Sequence, residues 1–345
     1  MSNPKKIDRE VKKITTSAIL IDTHNDIPSF TVDGADIGNA PKNETDIPRL
    51  KQGGVGAVFF SVYVASKWTD GNHSAHRALE MIDTVRHDII GRYPDTFQLA
   101  LTADDIVHAH KKHKIAALMG LEGGHAIEDS PRLLRDYYRL GVRYMTLTHT
   151  NTNNWADSSG DMKKPQVQHH NGLTPFGKDV IHEMNRLGMV VDISHVADKT
   201  FYDALETSQA PLIASHSSTR ALTDVPRNMT DDMIRALTKK GGVIQVNFYC
   251  PFITRRPDGH ASIEDVVAHI DHVRQLAGID AIGIGSDFDG IECAPQGLED
   301  VSKFPALTRA LLEKGYSPSD IKKIYGGNTL RLMRAVERVS QQMAH

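Results

Sequence analysis

Eight short apolar runs, rich in β-branched residues and ending in polar ones, recur along this chain of 345 residues and limit its fold more than any other feature. They are AILIDTHND ending at Asp26, GAVFFSVYV near Tyr63, AALMGLEGG at Glu122, RYMTLTH at His149, MVVDISH at His195, PLIASHS at His216, GGVIQVNFY at Tyr249 and AIGIGSDFDG at Asp287. The mean step is roughly 37 residues, room for a helix and two turns, which predicts βα repetition. In TPFGKDVIHEMNRLG, Thr174 can cap a helix, Pro175 suits its first position, Phe176, Val180, Met184 and Leu187 form one stripe, and Gly188 ends it. Ser317 and Pro318 repeat that logic, and Asn328 is predicted to cap a last helix carrying Leu330, Met333 and Val336.

Strands this uniformly apolar are buried on both faces, in an open doubly wound sheet or a closed barrel. The polar residues decide. A barrel gathers the strand ends around one mouth, whereas an open sheet spreads them over tens of ångströms. The expected fold is α/β, a (β/α)8 TIM barrel, in a single domain over 1–345 with a barrel core of about 18–337 and a C-terminal helical extension. No Pro/Gly/Ser-rich linker divides the chain.

Composition narrows the partners. A net charge of −3 leaves no basic footprint for nucleic acid, and no apolar run reaches the ~18 residues of a membrane span. Two cysteines, Cys250 and Cys293, are too few for a disulfide framework, which favours a reducing compartment. The expected location is cytoplasmic, or exported if a signal peptide has been removed.

The strand-end residues carry the chemistry. His24 and Asp26 are two apart, so a strand turns both to one face, where one cation could take both; the alternative is a His satisfied by a carbonyl and an Asp capping a turn. His195 and His216 end successive strands and bring two imidazoles together, a donor set for a borderline-soft cation. Glu122 is flanked by Gly120, Gly123 and Gly124, whose missing side chains let another group approach; it could bridge two cations or cap the next helix. No phosphate-binding glycine motif follows a strand here. The expected cofactors are two Zn²⁺, with Mn²⁺, Co²⁺ or Fe²⁺ as substitutes: one on His24, Asp26 and Glu122, the other on Glu122, His195 and His216. Cations ~3.5–4 Å apart can share a water, lower its pKa and polarise the bond it attacks, which is a hydrolase's equipment.

Asp287, in GSDFDG, is the candidate for proton transfer, while Asp289 beside Gly290 is expected to serve structural hydrogen bonds. His149 can donate to an oxyanion or be a satisfied core histidine. Arg227, in VPRNM on a loop, could grip a carboxylate with its planar fork or simply be solvated. Asn154 and Trp155 could line the entrance or pack. His108, His110 and His113 lie among lysines on a predicted helix facing away from the mouth.

The pattern resembles the renal (membrane) dipeptidases, zinc-dependent hydrolases of dipeptides. The similar segments run from Ile21 to Glu337: IDTHNDIP, GLEGGH, LTHTNTNNWADS, DISHV, SHSS, PRNM, GGVIQVNFY, GSDFDG, GLEDVSKFP and GGNTLRLMRAVE. The resemblance implies a binuclear zinc site on a (β/α)8 barrel, with His24 and Asp26 as ligands of the first metal, Glu122 as the bridge, and His195 and His216 as ligands of the second. It also implies substrate-binding roles for His149 and Arg227 and a proton-transfer role for Asp287. The expected activity is cleavage of L,L- and L,D-dipeptides by a metal-bridged hydroxide, in a protein that needs no membrane or nucleic acid and can form a homodimer. The stretch CPFITRRPDGH after Tyr249 departs from the family's pattern, so side-chain preference does not carry over. Two other readings compete: a binuclear barrel hydrolase of cyclic amides, lactones or phosphotriesters, and a barrel that binds without catalysis. Many sites of the former kind use HxH and a modified lysine, whereas this chain has HxD and His149.

Overall fold

The computed structural model describes residues 4–344 and contains one nine-stranded, all-parallel sheet. Its strands are β1 (Leu20–Asn25), β2 (Val55–Tyr63), β3 (Phe97–Leu99), β4 (Ile115–Glu122), β5 (Val142–Thr146), β6 (Val190–Asp192), β7 (Ile213–Ser217), β8 (Val243–Val246) and β9 (Ile282–Ile284). β2 pairs with β4 from Ala57↔Ala116 to Tyr63↔Glu122 and so closes eight strands into a barrel. Each of those eight is one of the apolar runs. The ninth, β3, pairs with Ile115–Ala117 of β4, below Met119, where β5 takes over the same edge. Three residues are too few to show a period, which hid β3 in the sequence.

The helices form where the caps are written. Thr174 accepts from Gly177 N–H, Pro175 opens Pro175–Leu187, and Gly188 closes it in the left-handed conformation, with Val180, Ile181 and Met184 buried. Ser317 and Asp320 form a capping box at Pro318–Lys322. Asn328 is a correction: it caps nothing, because the chain runs through a π-helical turn, Lys323–Gly327, straight into Asn328–Met343. Its amide donates instead to the Ile279 and Ile282 carbonyls, both at 2.8 Å. That last helix is the expected C-terminal extension. Its Leu332, Met333 and Val336 pack with Ile21, Phe59, Leu118, Tyr144 and Ile213 of the strands. Among the described residues no helix is long and apolar enough to cross a membrane.

The cysteines require a second correction. Cys250 and Cys293 form a disulfide that ties the loop after β8 to the loop after β9. Two cysteines 43 residues apart give no sign in sequence that neighbouring barrel loops will bring them together, and the bond removes the ground for expecting a reducing compartment. By loop-closure entropy a cross-link of this span contributes about 4 kcal/mol. Replacing both cysteines by serine should therefore lower the melting temperature by about 5 °C in scanning calorimetry; an unchanged transition would show the bond to be energetically idle.

Candidate metal centre and substrate cavity

The carboxyl ends of the barrel strands bring the candidate ligands to one place. Alternation along β1 and β7, set by Ile21 and Ile213 in the barrel's inner packing, would turn Thr23 and Ser215 inwards and His24 and His216 outwards. Both strands break register there, between Asp22 and Asn25 and between Ala214 and Ser217, and such irregularities re-aim side chains. The two imidazoles accordingly stack in the mouth, with ring centroids 3.7 Å apart. Just beyond β6, His195 takes a left-handed φ of 68°, and Asp287 beyond β9 one of 66°, conformations that non-glycine residues hold only where surroundings enforce them.

Glu122 ends β4 at the centre of the cluster. Its Oε2 lies 3.4 Å from His24 Nε2, which is 3.2 Å from Asp26 Oδ2. Its Oε1 lies 3.0 Å from His195 Nε2 and 3.2 Å from His216 Nε2, and those two nitrogens are 3.0 Å apart. One carboxylate thus offers a separate oxygen to each of two triads, His24–Asp26–Glu122 and Glu122–His195–His216. A third group, His24–His216–Asp287, overlaps both.

The hydrogen bonds behind the imidazoles fix which nitrogen faces the cluster. Ser215 Oγ donates to Asp192 Oδ2 at 2.6 Å, so at 2.7 Å it can only accept from His216 Nδ1–H. Tyr144 Oη directs its one proton to the Thr23 carbonyl at 3.1 Å and accepts from His24 Nδ1–H at 2.7 Å. Both histidines therefore turn Nε2 rather than Nδ1 to the carboxylates, and His24 Nε2 is buried without a hydrogen-bond partner. An orphaned donor atom among three carboxylates, beside two further imidazoles, fits a pair of borderline divalent cations. Glycines leave the room: a Cβ on Gly120 would sit 1.9 Å from the Tyr144 ring, and one on Gly290 2.4 Å from Asp26 Oδ2.

Charge follows the same plan. Burial works against the Glu122 carboxylate, but His24, His149 and the hydrogen bonds of His195 and His216 hold it well below the usual carboxylate range. Burial, with the charge of Arg227 nearby, pushes His195 and His216 well below the usual imidazole value and so into their ligating form. Asp287 is pushed up to about 8, chiefly by burial, with Asp26 and Glu122 adding to it. Its Oδ2 accepts from Asn247 Nδ2 at 2.8 Å and its Oδ1 is 3.8 Å from His24 Nε2.

A cavity of 500 Å³ opens over the cluster, lined by Asp26, Tyr63, Glu122, His149, His195 and Asp287 among others. The His149 ring packs 4.5 Å from His195 and 4.8 Å from Tyr63. Asp289 accepts from Glu44 N–H at 2.8 Å and Asn43 Nδ2 at 3.1 Å while also reaching the cavity. Arg227 stands beside the cluster with its fork turned to protein: Nη1 donates to Ser217 Oγ and Nη2 to the His216 carbonyl, while its buried Nε has no partner. Trp155 does not line the entrance but is fully buried, and Asn154 bonds Asp129 at a separate cavity. Sequence reasoning passed over Tyr144, Asp192, Ser215 and Asn247. A charged residue inside an apolar run, as in MVVDISH, was the available signal for Asp192.

The chain is 40% identical to dipeptidase verJ of Clonostachys rogersoniana over 96% of its own length and 87% of that protein. It is 38% identical to dipeptidase 3 of Mus musculus over 94% of its length and 65% of that protein. Among solved structures, a metallopeptidase from Rhodobacter sphaeroides bound to a phosphinate mimic of the dipeptide L-Ala-D-Ala superposes with a TM-score of 0.82 at 28% identity, covering 93% of this chain and all of that one. The profile of one family matches residues 8–345, and the chain belongs to that family, the membrane dipeptidases of peptidase family M19.

Proposed function

We propose that this chain is a zinc-dependent dipeptidase that cleaves L,L- and L,D-dipeptides. The observation that carries the reading is Glu122, with one carboxylate oxygen toward each of two histidine-containing triads. The phosphinate-bound relative supports the L,D part. Bound at those triads, two Zn²⁺ would supply Lewis acidity and a water acidic enough to attack at neutral pH.

The chain's own residues do the rest. His149, whose pKa burial lowers, donates to the oxygen that becomes negative as the amide carbon turns tetrahedral. Asp287 takes the proton of the attacking water on the oxygen not held by Asn247 and passes it to the leaving nitrogen. Arg227 attracts the substrate's C-terminal carboxylate through its unpartnered Nε, which restricts substrates to short peptides. Replacing it by lysine should raise KM far more than it lowers kcat, because the planar guanidinium and its Nε–H are lost; an effect confined to kcat would remove that role.

The reading is tested by assaying zinc-loaded protein against L,L-, L,D- and D,L-dipeptides alongside an amino-acid lactone and a phosphotriester. Hydrolysis of the first two dipeptide classes, with the lactone and phosphotriester untouched, is the expected result. Preferential turnover of either non-peptide would overturn it, as would two bound metals with no turnover at all.

A further inference from the structure

The outer wall of the cavity is built by the loops after β8 and β9. Tyr249 and Phe252 come from the loop after β8, Ile291 and Glu292 from the loop after β9, and all four line the cavity. Between them lies the Cys250–Cys293 disulfide, backed by a hydrogen bond from Cys250 N–H to the Cys293 carbonyl at 3.2 Å. Burial and the neighbouring Glu292 carboxylate push the Tyr249 phenol up to about 12, and Phe252 packs edge-on against Tyr249 at 4.9 Å. Glu292 is exposed, and the disulfide at the adjacent Cys293 ties the loop bearing it to the loop after β8.

The charges around the cavity are uneven. Among the described residues no lysine or arginine lines it, although the Arg227 guanidinium lies over the Phe252 ring at 5.6 Å. Asp26 and Glu122 face the imidazoles, Asp287 accepts from Asn247, and Asp289 is held by Asn43 and Glu44. Among the described residues Glu292 has the Tyr249 phenol as a partner and no cation.

We propose that Glu292 is a specificity residue that makes this enzyme favour dipeptides with a basic side chain and reject acidic ones. The inference rests on the dipeptidase reading above. A lysine side chain reaching the rim meets the Glu292 carboxylate and gains a charge-assisted hydrogen bond, while a glutamate meets like charge there.

The test compares kcat/KM within isosteric pairs: Lys-Ala with norleucyl-Ala, Ala-Lys with Ala-norleucine, and the Glu dipeptides with their Gln counterparts. At low ionic strength the lysine substrate should exceed its norleucine partner roughly three- to tenfold at one of the two positions, with Glu below Gln there, and about 0.5 M salt should shrink both gaps. Glu292→Gln should bring the lysine-to-norleucine ratio close to one, and Glu292→Lys should reverse the preference toward glutamate. A ratio near one at both positions in the unmodified enzyme, or a ratio that survives Glu292→Gln, overturns the proposal. Absence of turnover on every dipeptide would sink the dipeptidase reading itself, and the inference with it.

Discussion

Asp287→Asn should lower kcat by about 10²- to 10⁴-fold while the protein still binds its metals. The substitution keeps the size of the side chain and removes its capacity to take a proton. The surroundings explain why the loss should be so large. Asp287 is half-buried, its Oδ2 is anchored by Asn247, and its backbone N–H donates to the His24 carbonyl at 3.1 Å. Of the other carboxylates on the cavity, Asp26 and Glu122 face the imidazoles, Asp289 accepts from Asn43 and Glu44 through Oδ1, and Glu292 stands on the outer wall. Single-turnover kinetics and elemental analysis on the same preparation separate the two quantities. Unchanged turnover would remove Asp287 from proton transfer, and loss of metal would make it a ligand, as its place in the His24–His216–Asp287 group allows.

Glu122→Gln should cost more than turnover. The carboxylate belongs to both triads, so its loss takes an anionic oxygen from each. An amide also puts an N–H₂, which cannot ligate a cation, in place of one of those oxygens. Metal content should fall from two ions per chain to one or fewer, and activity by on the order of 10³-fold or more. Inductively coupled plasma spectrometry reads the first quantity without reference to the second. Two tightly held ions in Glu122→Gln protein would show that the carboxylate does not bridge.

Much of this was legible in the sequence because the barrel's strands are continuous apolar runs and its ligands fall where those runs end. All eight barrel strands could be marked, and His24, Asp26, Glu122, His195 and His216 could be chosen for their positions alone. What escaped notice depends on contacts between distant segments. Tyr144 is an ordinary strand tyrosine until the barrel closes and sets it behind His24, 120 residues away. The His24–Asp26 spacing gave the right neighbours, but alternation alone would have turned His24 out of the mouth; the break in register along β1 decides it. Arg227 was expected to offer a free fork, and its two Nη groups are instead occupied by Ser217 and His216, a pairing that no local pattern encodes. The disulfide and β3 escaped for similar reasons, one depending on loops brought together by the fold and the other on three residues at a sheet edge.

The closure of the sheet has a bearing on how such a protein matures. β1 is flanked by β2 on one side and by β9, the last strand in the chain, on the other. A nascent polypeptide emerging from the ribosome cannot lock His24 and Asp26 into position until residue 284 has been made and has folded back onto β1. Any ion that those residues take would then be captured only late, once β9 is in place, and the supply available at that stage would set how many sites are filled.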